Sequence, residues 1–244
     1  MTAPFHIPTL NQQPQIWLLN NNATSRIQRE QLCASLSEQE WLRNRRFRYS
    51  AQQHRDQICR GLIRTVLAAH LSCEPKDLMF SSNAQGKPQL AQPNTGLQFN
   101  LSHSGEWLAL VIAQGCSTIG VDIEHCQRRN DVLNIADRYF SVAELNELFA
   151  QQQASQRNRF FDYWTLKEAY IKAQGQGLAI PLDKFSFHLN KYPIGFDCHP
   201  SLNENPAQWQ FFQNTPIHDY RLAIAVKNLA ATLNPVFIYP YTEH

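Results

Sequence analysis

Two acidic residues at every-second spacing are the first candidates for chemistry in this sequence. Asp122 and Glu124 lie in the run 119–124, where apolar and acidic residues alternate after Gly120. Because a β-strand sends every second side chain to the same face, the two carboxylates point the same way. They could bind a divalent cation, or they could form the solvated face of an edge strand with two like charges side by side.

A third acidic residue and a lysine follow in a stretch with a helical pattern. Glu168 and Lys172 belong to the run Trp164–Lys172 and lie four residues apart, so they are neighbours on one face of a helix. By itself this spacing is also typical of a simple exposed ion pair. If the helix meets the strand that carries Asp122, three carboxylates and one ammonium group converge. Three hard oxygen ligands suit Mg²⁺, which keeps positions open for water and for the phosphates of a substrate.

The composition is that of an ordinary globular protein. The chain has 244 residues, enough to bury a core. Only 17% of the residues are charged and the net charge is +2, so the composition gives no sign of the basic stripe typical of nucleic-acid binding. The longest apolar run, 107–113, is far shorter than the roughly 20 residues that span a bilayer. The first residues lack the pattern of a signal peptide, and the six cysteines show no metal-ligand spacing. We therefore expect a cytoplasmic protein with free thiols and with no nucleic-acid or membrane partner.

Helical spacing and capping signals predict the helices. Two of them begin at capping boxes, Ser37 with Glu40 and Ser141 with Glu144. We favour this cap role for Glu144 over a role in the site. The predicted helices start near residue 37, cover about 51–71, run from 141 to about 149, and cover about 157–173.

Apolar or alternating runs between turn signals predict the strands. The predicted strands are 16–19 at a sheet edge, a short one near 78–80, then 106–113, the acidic run 119–124, 185–189, 209–213, 220–226 and 236–239. The run 100–105, Asn-Leu-Ser-His-Ser-Gly, ends a further strand with hydroxyls and free backbone N–H groups, a composition typical of an anion-binding turn.

One order of elements occurs twice in the chain. A long helix, a Gly/Pro turn and a strand follow one another at 59–102 and again at 163–189. This repetition indicates a duplication whose halves meet near residues 114–117. Because ligand sites favour such interfaces, the acidic strand and the helix with Glu168 would lie beside the site.

Five motifs, in this order, resemble those of the Sfp-type 4′-phosphopantetheinyl transferases. They are Gly86-Lys87-Pro88, Asn100 to Gly105, Gly120 to Glu124, Tyr139 to Ser141, and Trp164 to Lys172, and together they cover about 47–187. Each motif alone is weak, but all five in sequence are highly specific. The resemblance implies an α+β fold that is a pseudo-dimer of two similar halves, with the active site at their interface. We place the coenzyme A-binding half at 1–115, and the half with the metal site and carrier-protein docking at 116–244.

The resemblance also implies a reaction and the residues that serve it. The reaction transfers the 4′-phosphopantetheine arm of coenzyme A to a serine of an acyl or peptidyl carrier protein and releases 3′,5′-ADP. The positions that match Mg²⁺ ligands are Asp122, Glu124 and Glu168, and those that match catalytic residues are Glu168 and Lys172. The positions that match coenzyme A contacts are Arg43, Arg55, Lys87, Ser102, His103 and Lys172.

The docking surface and the oligomeric state are further expectations. By position, Arg128, Arg129 and the helix after Ser141 are candidates to dock an acidic carrier helix. A pseudo-dimer already supplies both halves of its cleft, so we expect a monomer.

Two departures from the family and two rival functions bear on this interpretation. Glu40 stands where some relatives have lysine, and Asp56 where they have a hydroxyl, and acidic groups there do not favour a 3′-phosphate. A Mg²⁺-dependent phosphohydrolase would use the same carboxylates but would release free phosphopantetheine. A non-catalytic coenzyme A-binding module would bind the nucleotide and modify no carrier.

Overall fold

Residues 4–127 and 131–241 are the part of the chain that the computed structural model describes. The helices are α1 (Arg26–Cys33), α2 (Glu38–Asn44), α3 (Ser50–Leu71), α4 (Ala136–Tyr139), α5 (Val142–Ala150) and α6 (Gln153–Gln174). The strands are β1 (Gln15–Asn20), β2 (Met79–Ser82), β3 (Pro88–Gln92), β4 (Gln98–Ser104), β5 (Trp107–Ala113), β6 (Thr118–His125), β7 (Phe185–His188), β8 (Gly195–Cys198), β9 (Trp209–Asn214), β10 (Tyr220–Lys227) and β11 (Val236–Ile238).

The sheet topology repeats along the chain. The first sheet has the order β11-β1-β5-β4 and the second the order β6-β10-β9. In each repeat the first strand leads to a helix of 22 residues, then to a two-stranded hairpin, then to an antiparallel pair. The predicted α+β fold is confirmed, and the repeated order is the one that two similar halves would produce. The boundary at residue 115 stays a prediction, and β11, from the second half of the sequence, joins the first sheet.

Local signals explain most element boundaries. Both predicted capping boxes are present: the Ser37 hydroxyl accepts from the Glu40 N–H, and Ser141 does the same for Glu144. Helix α6 ends at Gly175, whose φ of 71° is left-handed and favours glycine. Sequence reasoning missed α1, α4, β3 and β8, although the capping box of Ser25 and Gln28 marks the start of α1.

The prediction of β1 as an edge strand was wrong. It lies between β5, to which it is antiparallel, and β11, to which it is parallel. The physical reason is a long-range pairing, because the partner strand β11 lies more than 200 residues further along the chain.

The core explains which way the acidic strand faces. On β6, Ile119, Val121 and Ile123 are fully buried in a cluster shared with residues of the first sheet such as Ile16 and Leu18. The side chains of α6 form a different cluster that includes Ala223 and Ala225 of β10. Because side chains alternate along a strand, Gly120, Asp122 and Glu124 face the α6 side.

Two further expectations concern cysteines and membrane segments. All six cysteines are free, as predicted. No helix in the described ranges combines the length and the apolar character that crossing a membrane requires.

Candidate active site

A glycine lets α6 approach β6 closely. A Cβ atom added at Gly120 would lie 2.1 Å from the carbonyl oxygen of Ala169 and 2.4 Å from the backbone nitrogen of Ala173. No side chain fits there, so the helix backbone rests directly on the strand. Glu168 and Lys172 each immediately precede one of these contact residues, and the close crossing therefore brings both to the acidic strand.

Asp122 lies at the centre of the cluster. The residue is 3% exposed, and its Oδ1 accepts hydrogen bonds from Lys172 Nζ at 2.6 Å and from the Ser102 hydroxyl at 2.9 Å. Its Oδ2 is buried and finds no hydrogen-bond partner among the described residues. One oxygen is thus held in place, and the other is left for a ligand that the protein itself does not supply.

Glu124 and Glu168 complete the acidic cluster. The Ser104 hydroxyl donates to Glu124 Oε2 at 2.7 Å. Burial, reinforced by the negative charge of Asp122, raises the pKa of Glu168 to about 7, and Glu124 adds to this rise while Lys172 opposes it. The three carboxylates that the sequence singled out therefore interact electrostatically.

The cluster has the chemistry of a cation site without a preformed ligand geometry. In residues 4–127 and 131–241, no group of three or more His, Cys, Asp or Glu side chains is arranged to hold a metal ion. The donor set nevertheless fits a hard divalent cation, because a cation would satisfy the unpartnered Asp122 Oδ2 and neutralise the mutual repulsion of Asp122 and Glu168.

Lys172 does not form the simple ion pair with Glu168 that its spacing allows. Its ammonium group donates to Asp122 Oδ1 and, at 2.7 Å, to the Ser102 hydroxyl. A lysine on the helix thus contacts an acid on the strand and a hydroxyl on β4. The tertiary contact replaces the local one.

The edge strands β4 and β6 meet through side chains. Asn100 Oδ1 accepts from the Val121 N–H at 3.0 Å. Two and four residues further along β4, the hydroxyls of Ser102 and Ser104 donate to the carboxylates of Asp122 and Glu124 on β6. Ser102, a predicted coenzyme A contact, therefore lies against Asp122 in this structure. Its predicted role stays untested.

A large cavity lies on the other side of β4. Its volume is about 990 Å³, and Arg43, Arg55 and His103 line it, together with Phe80 and Leu101. Three of the predicted coenzyme A contacts are thus brought to one cavity, and its size suits a nucleotide-sized ligand. Whether they contact coenzyme A stays a prediction.

The two acidic departures from the family are neutralised within the protein. Glu40 Oε2 pairs with Arg64 Nε at 2.6 Å, and Asp56 Oδ1 pairs with Arg60 Nε at 2.9 Å. These acids therefore do not face the cavity as isolated negative charges. Sequence reasoning missed both arginines as partners, although Asp56 and Arg60 have the i, i+4 spacing of a helical ion pair.

Lys87, another predicted coenzyme A contact, lies elsewhere. Its ammonium group donates to the carbonyl oxygens of Ala173 at 2.7 Å and Ile119 at 3.1 Å, and to the Thr118 hydroxyl at 2.9 Å. Burial lowers its pKa to about 8. The lysine thus joins the end of α6 to the start of β6.

Glu144 has the structural role that we favoured. Besides capping α5, its Oε2 pairs with Lys167 Nζ at 2.8 Å, and both side chains are fully buried. Lys167 also donates to the carbonyl oxygens of Leu182 and Phe185, so each partner is hydrogen-bonded. Sequence reasoning missed this pair, because nothing local shows that Lys167 points inward.

The predicted docking surface is described only in part. Arg128 and Arg129 lie outside the described residues. Helix α5, which follows Ser141, presents Val142 and Phe149 as exposed apolar side chains, 75% and 53% exposed.

The fold and the site together define a class: an α+β protein with a repeated topology, whose acidic cluster and basic-lined cavity suit a phosphorylated ligand. Comparison with known families agrees. Residues 118–225 match the model of the 4′-phosphopantetheinyl transferase superfamily, and residues 23–115 match the model "4′-phosphopantetheinyl transferase, N-terminal".

Individual relatives give the same result. The 4′-phosphopantetheinyl transferase HetI of Nostoc sp. is 30% identical over 228 residues, which are 93% of this chain and 92% of that protein. The 4′-phosphopantetheinyl transferase Sfp of Bacillus subtilis is 33% identical over 168 residues, 68% of this chain and 72% of that protein. This chain belongs to the 4′-phosphopantetheinyl transferase family, and the predicted Sfp-type resemblance and enzyme class are confirmed.

A solved structure is also similar. The holo-[acyl-carrier-protein] synthase (AcpS) of Thermotoga maritima shares 17% sequence identity with a TM-score of 0.38, over 46% of this chain and 62% of that one. The family assignment does not depend on this likeness.

Proposed function

We propose that this chain transfers the 4′-phosphopantetheine arm of coenzyme A to a serine of an acyl or peptidyl carrier protein. The single observation that carries the proposal is the geometry at Asp122. One carboxylate oxygen is held by Lys172 and Ser102, and the other is buried without a partner. Glu124 and Glu168 lie within electrostatic reach. Phosphoryl transfer requires mainly positioning and charge neutralisation, and this cluster supports both.

The reaction forms one bond and breaks another at the same phosphorus atom. The carrier serine oxygen attacks the phosphorus that bears the pantetheine arm, and the bond from that phosphorus to the 3′,5′-ADP oxygen breaks. The serine proton passes to the carboxylate of Glu168, and 3′,5′-ADP leaves with the bonding electron pair. Lys172, whose ammonium is held beside Asp122, supplies positive charge next to the reacting phosphates.

Asp122, Glu124 and Glu168 would hold a Mg²⁺ ion. The fit rests on the unpartnered Asp122 Oδ2 and on the all-oxygen donor set. When bound, the ion neutralises the charge of the diphosphate and makes its phosphorus more electrophilic. Ser102 and Ser104 orient two of the carboxylates through the hydrogen bonds from β4.

Coenzyme A would occupy the cavity beside β4. Arg43, Arg55 and His103 line it, and two of the three acidic residues in its lining, Glu40 and Asp56, are each paired with an arginine, while Glu38 is the third. The carrier would dock near α5, and the protein would act in the cytoplasm as a monomer.

Intact mass spectrometry tests the function directly. Apo carrier proteins are incubated with the enzyme, coenzyme A and Mg²⁺. We expect a carrier that is heavier by one phosphopantetheine arm, together with stoichiometric 3′,5′-ADP. Release of free phosphopantetheine with an unchanged carrier would identify a phosphohydrolase instead. Tight binding of coenzyme A without either product would identify a binding module.

Substitution of Glu168 tests the residue roles. Glu168→Gln keeps the shape of the side chain but removes the base and one anionic ligand, so we expect transfer to be abolished while the circular dichroism spectrum is unchanged. Glu30→Gln is the control, because Glu30 is an exposed carboxylate on α1 whose ion pair, with Arg26, is local. Full activity of Glu168→Gln would exclude the proposed role.

A further inference from the structure

The turn between β2 and β3 contacts the far end of the helix that carries Glu168. Asn83 Nδ2 donates to the carbonyl oxygen of Gly175 at 2.7 Å, and Lys87 Nζ donates to that of Ala173 at 2.7 Å. The hydroxyl of Thr118 donates to the same Ala173 oxygen at 2.7 Å. The last carbonyls of a helix lack partners within the helix. Side chains from outside the helix therefore cap the C-terminus of α6.

The ammonium group of Lys87 is fully used in this cap. It has three N–H donors, and three acceptors lie within 3.1 Å of it: Ala173 O, Thr118 Oγ1 and Ile119 O. These acceptors belong to α6 and to the start of β6. A direct contact between this ammonium and coenzyme A would require at least one of these hydrogen bonds to break.

The turn is itself held in one conformation. Asn83 Oδ1 accepts from the N–H groups of Gln85 at 3.1 Å and Lys87 at 2.8 Å, and the Asn83 N–H donates to the Lys87 carbonyl at 3.0 Å. The contact with α6 is close, since a Cβ at Gly175 would lie 2.7 Å from Asn83 Nδ2. A turn that is ordered by its own hydrogen bonds can hold the helix end at a defined position.

The same hairpin forms part of the wall of the large cavity. Ser82, Gly86 and Pro88 line that cavity. On the helix, Lys172 immediately precedes Ala173, which Lys87 holds. The turn is thus the point at which the cavity wall and the end of the helix with Lys172 are joined.

We propose that Asn83 and Lys87 form a latch that holds α6 against β6 and so sets the positions of Lys172 and Glu168 relative to Asp122. Lys87 is then a positioning residue, in place of the coenzyme A contact that the resemblance implies. The proposal rests on the proposed transferase function for its kinetic test, but not for its structural one.

Two variants break the latch in different ways. Asn83→Asp keeps the side-chain oxygen that orders the turn but removes the N–H donor to Gly175. Lys87→Met keeps the length and the apolar stem of the side chain but removes the ammonium group. Lys191→Met is the matched control, because Lys191 is exposed in the loop after β7.

The kinetic test separates positioning from ligand contact. We expect kcat for carrier modification to fall about tenfold or more in each latch variant, because displacement of reacting groups by a fraction of an ångström is costly. The dissociation constant of coenzyme A, measured by calorimetry, should agree within about twofold between the two latch variants, because both displace Lys172 in the same way, whereas loss of a direct contact would weaken binding in Lys87→Met alone. The double variant should be no slower than the slower single variant, because both changes release the same helix end.

Hydrogen exchange provides a structural readout that does not depend on activity. Amides in 169–176 should exchange faster in both latch variants and at the wild-type rate in Lys191→Met. The latch would be overturned if Asn83→Asp changed neither the exchange rates of these amides nor kcat. It would also be overturned if Lys87→Met bound coenzyme A more weakly but kept a normal kcat. Failure of the wild type to modify any carrier would overturn the transferase function, while the exchange data would still decide the latch. If Lys87→Met does not fold, Asn83→Asp decides alone.

Discussion

Gly120 is the position where a single methyl group should damage the site most directly. In Gly120→Ala, the new Cβ would lie 2.1 Å from Ala169 O and 2.9 Å from Ala173 Cα, both backbone atoms of α6. Ordinary contact begins at about 3.4 Å, so the helix must move away by about 1.3 Å. No flexible side chain can absorb this shift.

The consequence follows from what α6 carries. A shift of 1.3 Å would lengthen the 2.6 Å separation of Lys172 Nζ and Asp122 Oδ1 to as much as about 3.9 Å, outside hydrogen-bond range. We expect kcat to fall about 100-fold, since an error of about 1 Å in position costs this much. Overpacking should also lower the free energy of unfolding by about 1–3 kcal/mol.

The assay combines initial rates of carrier modification with urea unfolding. Gly96→Ala is the control, because Gly96 has a φ of 73° with no atom within 4 Å of its added Cβ. It should cost about 1 kcal/mol of backbone strain and leave kcat unchanged. A folded Gly120→Ala variant with kcat within about twofold of wild type would refute the claim that the close crossing of α6 and β6 positions the site.

Two further predictions concern the buried Lys167 and the half-buried Lys87. Lys167→Met should lower the free energy of unfolding by about 3–5 kcal/mol in urea denaturation, because it leaves the fully buried carboxylate of Glu144 without its cation. Adding Glu144→Gln to this variant should restore part of the lost stability. A double variant as unstable as Lys167→Met would contradict the explanation. Burial lowers the pKa of Lys87 from 10.5 to about 8. Between pH 8 and 10.5 the unfolded chain therefore binds more protons at this lysine than the folded chain does. The stability of wild type relative to Lys87→Met should therefore increase as pH rises from about 8 to 10.5, measured by urea unfolding at each pH. The thiol of Cys116 near Lys87, whose pKa burial raises to about 11, stays protonated through most of this range. If the difference in free energy of unfolding between wild type and Lys87→Met did not change with pH, the lowered pKa of Lys87 would be wrong.

Local patterns predicted much of the fold. The capping boxes at Ser37 and Ser141 mark helix starts correctly, and α3 begins within one residue of its predicted start. These signals work because they depend on neighbours in sequence, whose interactions need no tertiary context. The interior position of β1 could not be predicted in this way, because its partner β11 is distant in sequence.

The sequence predicted that three carboxylates and one ammonium group converge if α6 meets β6, but not which of these groups pair. The alternation in β6 correctly placed Asp122 and Glu124 on one face of the strand. The helical spacing placed Glu168 and Lys172 on the face of α6 that meets this strand. The same spacing also suggested a local ion pair, whereas Lys172 pairs with Asp122 and Lys87 caps the end of α6. Contacts between elements depend on how closely the elements pack, and periodicity carries no information about that distance.

The sequence by itself therefore determined the elements, the faces that carry the acidic residues and, through five ordered motifs, the family. Only the tertiary structure decided that Lys172 pairs with Asp122. It also decided that the ammonium group of Lys87 hydrogen-bonds to the end of α6. The physical reason lies at Gly120. The absence of a side chain there lets a helix and a strand touch, and the partners of Asp122 follow from that contact.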